Sequence, residues 1–382
     1  MSVYVLVSGD FTPWGGMDRA NYELAWHLAE RVCTSVHLVS HRVVPPLVEH
    51  PRVSWHRVPK PLNSYTLSAP LLALAGRRVA RCLSRQDARV IVNGGNCRWP
   101  DVNWVHAVHA VWENRNTHAS ALFRLRNRWL KYRARRAEKL ALQEALVIVA
   151  NSERTRQQII EKIGVPAERV HVVYLGVDAN VFRLFSDAER AAARYRLGRP
   201  ANRPLAVFTG ALGRDRNKGF DVLFAAWNQL CRDSRWDVDL VVAGAGAEVK
   251  LWQQRASAAG LSERIYMRGF TTQVPDLLAA ADVLVSPTFY DAYGLAVQEA
   301  LCCGLPAFVT RSAGIAERFP AEMADCLLPD PPDAGTLAHC LRRWRQEMPA
   351  YRARASCFGA MLRQRTWSDM AAQMVSIIKE TG

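Results

Sequence analysis

Short runs of β-branched and aliphatic residues punctuate the chain. Val3 to Ser8, Val36 to Ser40, Val53 to Val58, Val90 to Asn93, Val102 to Val108, Leu146 to Asn151 and Val170 to Leu175 are apolar without strict alternation. That is the pattern of strands buried on both faces. Helix-period segments separate most of these runs, which predicts parallel strands joined by crossover helices. A second series then begins: Leu205 to Thr209, Leu240 to Ala243, Ile265 to Met267, Val283 to Ser286 and Ala307 to Thr310, each followed by a helical stretch. Between the series, Gly176 to Pro204 has no long apolar run and carries Gly198, Pro200 and Pro204 among charged residues, so the inter-domain linker is placed at 181–203. The expected organisation is α/β: a first domain over 1–180, the linker, and a second domain over 204–360. From Asp333 onward the pattern is helical and Arg-rich, with no further strand expected.

Composition narrows the class. The 382 residues are 49% hydrophobic and 22% charged, which excludes disordered, collagen-like and small disulfide-scaffold chains. No apolar run reaches the roughly 18 residues of a membrane-spanning helix. Met1 to Gly9 lacks a basic leader region and a cleavage site, so a cytoplasmic protein is expected. The nine cysteines, at 33, 82, 97, 231, 302, 303, 326, 340 and 357, show no Cys-x-x-Cys or zinc spacing and read as reduced packing residues. Net charge is +15, and Met1 to Asn180 holds 25 basic against 14 acidic residues, +11 of the total. Such a field attracts an anionic partner without identifying it.

Four segments carry candidate chemistry. The first strand runs into Gly9-Asp10-Phe11-Thr12-Pro13-Trp14-Gly15-Gly16-Met17 just before a helix start, where Gly15 and Gly16 form either a tight turn or an anion site built on free amides and the helix dipole. Strand Val102 to Val108 carries His106 and leads to His109. Three residues apart on a strand they face opposite sides, so one of the two lines a crevice at the sheet's carboxyl edge. Arg124 to Lys139 interleaves eight basic side chains with Leu125, Trp129, Leu130 and Tyr132, either a solvated helix face or an amphipathic contact with anionic lipid or an acidic acceptor. No zinc finger, helix-turn-helix or aromatic ribonucleoprotein signature supports nucleic acid as a partner.

The second half is the richer one. Arg214 and Lys218 project from a glycine-bearing loop after Leu205 to Thr209, chemistry suited to a diphosphate. After Val283 to Ser286 the chain reads Pro287-Thr288-Phe289-Tyr290-Asp291-Ala292-Tyr293-Gly294-Leu295, then a helix bearing Glu299. Asp291 and Glu299 are eight apart across a helix N-terminus, so two carboxylates accept hydroxyls while amides near Gly294 and Leu295 meet an anion.

This pattern resembles the retaining glycosyltransferases of family 4, whose Glu-x7-Glu element is matched here by Asp291 and Glu299 within Pro287-Thr288, Tyr293-Gly294, Glu299-Ala300-Leu301, Gly304 and Pro306. Tyr174-Leu175-Gly176-Val177-Asp178, Gly213-Arg214, Lys218-Gly219 and Val242-Ala243-Gly244 extend the match over most of the chain. The resemblance implies the GT-B fold: two Rossmann-like αβα domains facing each other across a cleft, closing over the linker, with the C-terminal helix at 361–382 packing back on an acceptor-binding first domain. It implies a UDP- or GDP-sugar donor with no cofactor, a metal-free site consistent with a chain expected to hold no Asp-x-Asp triplet, and a glycan or lipid-linked acceptor; the basic charge of the first half fits an acceptor at a bacterial inner membrane face. By the same resemblance Arg214 and Lys218 bind the donor diphosphate and Glu299 the ribose. Gly294 and Leu295 meet phosphate and sugar, Gly15 and Gly16 approach the phosphate from the first domain, Gly244 lines the donor site, and the base lies near Arg268, Gly269 and Val274. His106 is favoured over His109 as the family histidine. The departure is Asp291, one methylene shorter than the usual Glu. A nucleotide-sugar epimerase, a phosphorylase of the same fold and a non-catalytic nucleotide-sugar binder are the alternatives.

Overall fold

The computed structural model describes residues 3–113 and 121–380, with the side chains of 86 and 121–124 outside the description. Arg124, expected on the basic helix, is therefore located by its backbone alone. The described chain forms two compact units. One comprises 3–111, 121–176 and 366–380, the other 112–113 and 177–365.

The first unit is built on a seven-stranded parallel sheet in the order Val53–Arg57, Ser35–Ser40, Val3–Val7, Ala88–Val92, Val102–Val105, Val147–Ala150, Val170–Val172. The central strand Val3–Val7 is buried throughout because helices cover both faces, which is why its sequence does not alternate. Val5, Val7, Val39, Val90 and Val92 pack against Leu72 and Ala80 of helix Tyr65–Leu83. Gly76 of that helix is required, since a Cβ there would lie 2.9 Å from a Val7 methyl. Ile148 and Ala150 pack against Leu142 of the preceding helix and Ile159 and Ile163 of the following one. The last helix, Trp367–Glu380, belongs to this unit. It lies on helix Met17–Glu30, with His27 Nδ1 3.1 Å from Ser368 Oγ and the Arg19 guanidinium 5.3 Å from the Trp367 ring.

The second unit has a six-stranded parallel sheet in the order Ile265–Gly269, Asp239–Ala243, Leu205–Thr209, Val283–Ser286, Ala307–Thr310, Leu327–Leu328. The short last strand was not expected. The segment 181–203, read as a linker, contains helix Asp187–Arg196, opened by a Ser186–Glu189 capping box. Its buried Arg190 and Arg194 donate to Asp282 at 2.7 and 2.5 Å, and Asp282 also accepts from the Leu205 amide at 2.8 Å. The helix is thereby fastened to this sheet, because two buried guanidinium groups left unpaired would be costly.

A further correction concerns Val102 to Val108. The strand ends at Val105, so His106 and His109 lie in the loop beyond it and the opposite-face argument does not apply. Glu138, from helix Ala121–Glu144, accepts from the amides of His109 and Ala110 at 2.9 and 3.2 Å. Arg135 of the same helix donates to the carbonyls of His109 and Ala110 at 3.0 and 2.6 Å. With their donors and acceptors taken by side chains, these residues have no ladder to join.

Candidate functional site

At the carboxyl edge of the second sheet, close backbone approach assembles the site. Strand Leu205–Thr209 exits through Gly210, whose amide donates to Ala243 O at 3.1 Å, while the Gly244 amide donates to Gly269 O at 2.9 Å. A Cβ on Gly244 would fall 1.8 Å from Gly210 O, so this strand end admits only glycine. In the next loop Gly219 has φ +68°, and a Cβ there would strike Pro287 O at 1.7 Å. That approach lets Asn217 O accept from the Phe289 amide and the Thr288 hydroxyl, both at 2.8 Å. Loop 213–219 and loop 287–294 are thus joined along their backbones.

The join places Lys218 Nζ 2.6 Å from Asp291 Oδ2, with the two side chains 35% and 22% exposed. The neighbouring Arg216 is committed elsewhere, to Glu248 at 2.9 and 3.3 Å. Arg214 sits exposed on the same loop. Gly294, at φ +101°, caps helix Leu295–Cys302 without a side-chain hydrogen bond, and Glu299 lies partly exposed one turn in. In its first turn the Val297 and Gln298 amides donate to Gly294 O at 3.0 and 3.2 Å.

Behind the helix, Tyr293 is buried with its hydroxyl between Gln298 Oε1 and Arg318, the latter at 3.2 Å. Burial pushes this phenol up to about 12, with Arg318 acting in the opposite sense. Gln298 and Arg318 hold the loop from beneath and were missed in the sequence. Only Gln298, adjacent to Glu299, carried a local signal.

Other expected residues are placed apart. Arg268 lies on the edge strand Ile265–Gly269, two strands from Leu205–Thr209, where it lines a cavity of about 360 Å³ with Arg199, Gln253 and Tyr266. Its guanidinium is 3.5 Å from Gln273 Oε1. The chain does contain one Asp-x-Asp triplet, Asp237-Val238-Asp239, contrary to the expectation that the motif is missing. It stands at the amino end of strand Asp239–Ala243, opposite the site's edge. Asp237 is held by Arg345 at 2.8 and 2.6 Å, and Asp239 by Arg203 and Arg264 at 2.8 and 3.2 Å. These carboxylates are engaged in ion pairs.

In the first unit Gly15, at φ +85°, and Gly16 are exposed at the start of helix Met17–Glu30, which has no side-chain cap. His106 packs with its ring 4.4 Å from that of Trp104, and its Nε2 is enclosed without a hydrogen-bond partner among the described residues. Burial pushes this imidazole down to about 3, so it is neutral at physiological pH. His109 is exposed, with Nδ1 3.8 Å from Glu138 Oε1. Along helix Ala121–Glu144, Leu125, Trp129, Tyr132 and Leu140 are exposed among Arg126, Arg128, Arg133, Arg136 and Lys139. The Arg133 guanidinium lies 4.7 Å from the Trp129 ring. No helix among the described residues is long and apolar enough to cross a membrane.

Residues 14–181 match the family described as Glycosyltransferase Family 4, and residues 203–347 match Glycosyl transferases group 1. The chain is 26% identical over 245 residues to mannosylfructose-phosphate synthase of Agrobacterium fabrum, covering 61% of this chain and 52% of that protein. It is 30% identical over 256 residues to D-inositol 3-phosphate glycosyltransferase of Streptosporangium roseum, covering 63% and 56%. The chain thus spans about half the length of the curated relatives it matches. Among solved structures it is similar to WaaG, a glycosyltransferase involved in lipopolysaccharide biosynthesis, with a TM-score of 0.79 at 19% identity over 99% of both chains. It is likewise similar to Anabaena HepE in complex with UDP-glucose, with a TM-score of 0.75 at 21% identity over 100% of both. At these identities the likeness is one of fold, and the fold matches that of GT-B glycosyltransferases.

Proposed function

The chain belongs to the family 4, group 1 glycosyltransferases, and from that premise we propose that it moves a sugar from a nucleoside-diphosphate donor to a glycan or lipid-linked acceptor with retention of configuration. The observation that carries the reading is the Lys218–Asp291 contact of 2.6 Å beside the bare helix end at Gly294 and Leu295. A cation, a carboxylate and the positive end of a helix there suit a ligand bearing both phosphate and hydroxyls.

In the transfer, the bond from the donor's anomeric carbon to its phosphate oxygen breaks and a bond from that carbon to the acceptor oxygen forms on the same face. The acceptor's proton passes to the departing phosphate oxygen. Lys218 and Arg214 stabilise the charge growing on the diphosphate, the role a divalent ion fills elsewhere, so no metal is required. Glu299 accepts the ribose hydroxyls and Asp291 a hydroxyl of the donor sugar. Gly244 and Gly210 let the two strand ends beside this site approach each other closely. His106, held neutral by burial, remains the histidine favoured by the family resemblance.

The acceptor stage is proposed at the inner face of a bacterial inner membrane, in assembly of a cell-surface polysaccharide or lipopolysaccharide. The support is the basic helix Ala121–Glu144, whose exposed Trp129 and Tyr132 lie among arginines, as an interfacial helix requires. Binding of UDP- and GDP-sugars tests the donor reading. One of them raises the melting temperature of the wild type by mass action, and Glu299→Ala abolishes the rise. A wild type indifferent to every nucleoside-diphosphate sugar in such a panel would end the donor reading.

A further inference from the structure

Beneath the Asp291–Glu299 element a buried chain of polar groups crosses from one side of Gly294 to the other. Tyr293, 2% exposed, donates its hydroxyl to Oε1 of Gln298, which is 1% exposed. Arg318 Nη1 donates to the same hydroxyl oxygen at 3.2 Å and to Gln298 Oε1 at 3.4 Å. The direction of each bond is fixed. A guanidinium only donates, the phenol stays protonated because burial pushes it up to about 12, and the Gln298 carbonyl faces both donors. Arg318 ends the short turn Gly314–Arg318, whose start is bonded to the same loop: the Gly314 amide donates to Asp291 O at 3.0 Å and the Ile315 amide to Tyr293 O at 2.5 Å. Ser312 Oγ donates to Thr288 O at 3.1 Å. Segment 312–318 thus holds loop 288–294 along its backbone at one end and, through Arg318, by side chains at the other.

This chain of bonds spans the least stiff point of the element. Gly294, at φ +101°, opens helix Leu295–Cys302 and brings no capping side chain. Asp291 lies three residues before it and Glu299 five after. The angle between loop and helix at Gly294 therefore sets how far apart the two carboxylates stand. Tyr293 is on the loop side of that angle, and Gln298 is on the helix side, next to Glu299. Packing alone does not call for polar groups here, because apolar side chains of similar shape at 293 and 298 would fill the same volume at comparable stability. Directed hydrogen bonds instead select one arrangement of loop against helix.

We propose that Tyr293, Gln298 and Arg318 are positioning residues, a polar lock across Gly294 that holds Asp291 at the distance from Glu299 at which one nucleotide sugar reaches both. The inference rests on the donor reading for what the two carboxylates bind. The nucleoside diphosphate then lies on the helix side of Gly294, against Glu299 and the helix end, and the sugar on the loop side, against Asp291. Loosening the lock weakens the grip on the sugar and spares that on the nucleotide.

Isothermal titration of the full chain with UDP, GDP and ADP, and with their glucose, galactose and mannose conjugates, tests it in wild type, Tyr293→Phe and Gln298→Leu below their melting transitions. The probe is whichever nucleotide sugar binds the wild type, beside its parent diphosphate. The expected result is a loss of at least fivefold in affinity for the nucleotide sugar in both variants, against less than twofold for the diphosphate. In an Asp291→Ala background Tyr293→Phe should cost nothing further, because the lock acts through that carboxylate. A merely structural role would lower the melting temperature and leave the two affinities unchanged, or reduce them together. Either pattern overturns the lock, as does an undiminished Tyr293→Phe loss in the Asp291→Ala background. Tyr293→Phe removes one oxygen and keeps the ring, so the test stays open if Gln298→Leu folds poorly. A wild type that binds no nucleotide sugar overturns the donor reading and this inference with it, whereas variants that match a binding wild type overturn the inference alone.

Discussion

Removing the Lys218 charge tests whether its contact with Asp291 lies where a diphosphate binds. A phosphate oxygen bonded to Lys218 Nζ would stand about 5 Å from the Asp291 oxygen that shares the same ammonium group. Two unit charges at about 5 Å and an effective dielectric of about 20 interact by about 3 kcal/mol. With Lys218 35% and Asp291 22% exposed, solvent screening reduces this to about 1–2 kcal/mol, or roughly tenfold in affinity. Lys218→Met should therefore weaken nucleoside-diphosphate binding by about tenfold or more, since it removes the attraction and leaves Asp291 facing the ligand. Asp291→Asn should tighten the same ligand severalfold while lowering sugar transfer. In the double variant, Asn at 291 should restore part of what Lys218→Met loses. Isothermal titration with UDP, GDP or ADP, whichever raises the wild-type melting temperature, reads all four proteins in one cycle. A double variant as weak as Lys218→Met, or an Asp291→Asn protein that binds no tighter than wild type, would refute the shared location.

Two further outcomes are expected. His106 is held near 3 by burial, against about 6.5 in the unfolded chain, so its contribution to stability is whole above about pH 6.5 and is lost as pH falls toward 3. The slope is at most about 1.4 kcal/mol per pH unit. Asp18 and Glu138, both raised to about 7, act in the opposite sense between about pH 4 and 7. The readout is accordingly the difference between wild type and His106→Phe by urea denaturation at pH 4.5, 5.5 and 7. A difference that does not change with pH would mean the imidazole is not buried neutral. For the basic helix, wild-type protein should sediment with vesicles containing phosphatidylglycerol in preference to pure phosphatidylcholine. Joint reversal of Arg133 and Arg136 to Glu should cost about tenfold or more, at roughly 1 kcal/mol per charge, and 0.5 M salt should have a similar effect. No lipid preference in the wild type would remove the membrane contact from the proposal.

What could be read in the chain divides by the range of the interaction responsible. The buried strands were legible because a strand covered on both faces needs apolar residues at every position, a rule satisfied locally by Val3–Val7 and Asp239–Ala243. The Asp291–Glu299 element was legible because a strand exit, a glycine cap and a helix turn fit within one short segment. The join that gives this element its cation was not. It depends on Gly219, where a Cβ would lie 1.7 Å from Pro287 O, nearly seventy residues on. Helix Asp187–Arg196 read as a linker because its anchor, Asp282, comes some ninety residues later. The loop beyond Val105 was not legible because Glu138, which accepts from the His109 and Ala110 amides, comes some thirty residues later. Asp237 and Asp239 form a motif whose neighbours, Arg345 and Arg264, are invisible at that spacing.

The charge excess of the first half acquires a place in the same way. Arg42 is spent on Asp10, Arg135 on two carbonyls and Arg156 on Val170 O, so a share of that excess is internal bonding with no partner to seek. Near Gly15 and Gly16, the Asp10 and Asp18 carboxyls lie close to Arg42 and Lys60, so part of that local charge is internal too. The surplus stands instead on the exposed face of helix Ala121–Glu144, with Trp129 54% exposed among its arginines. Arg126, Arg128, Arg133, Arg136 and Lys139 put five exposed cations on that helix. Salt should then weaken any contact between that helix and an anionic surface.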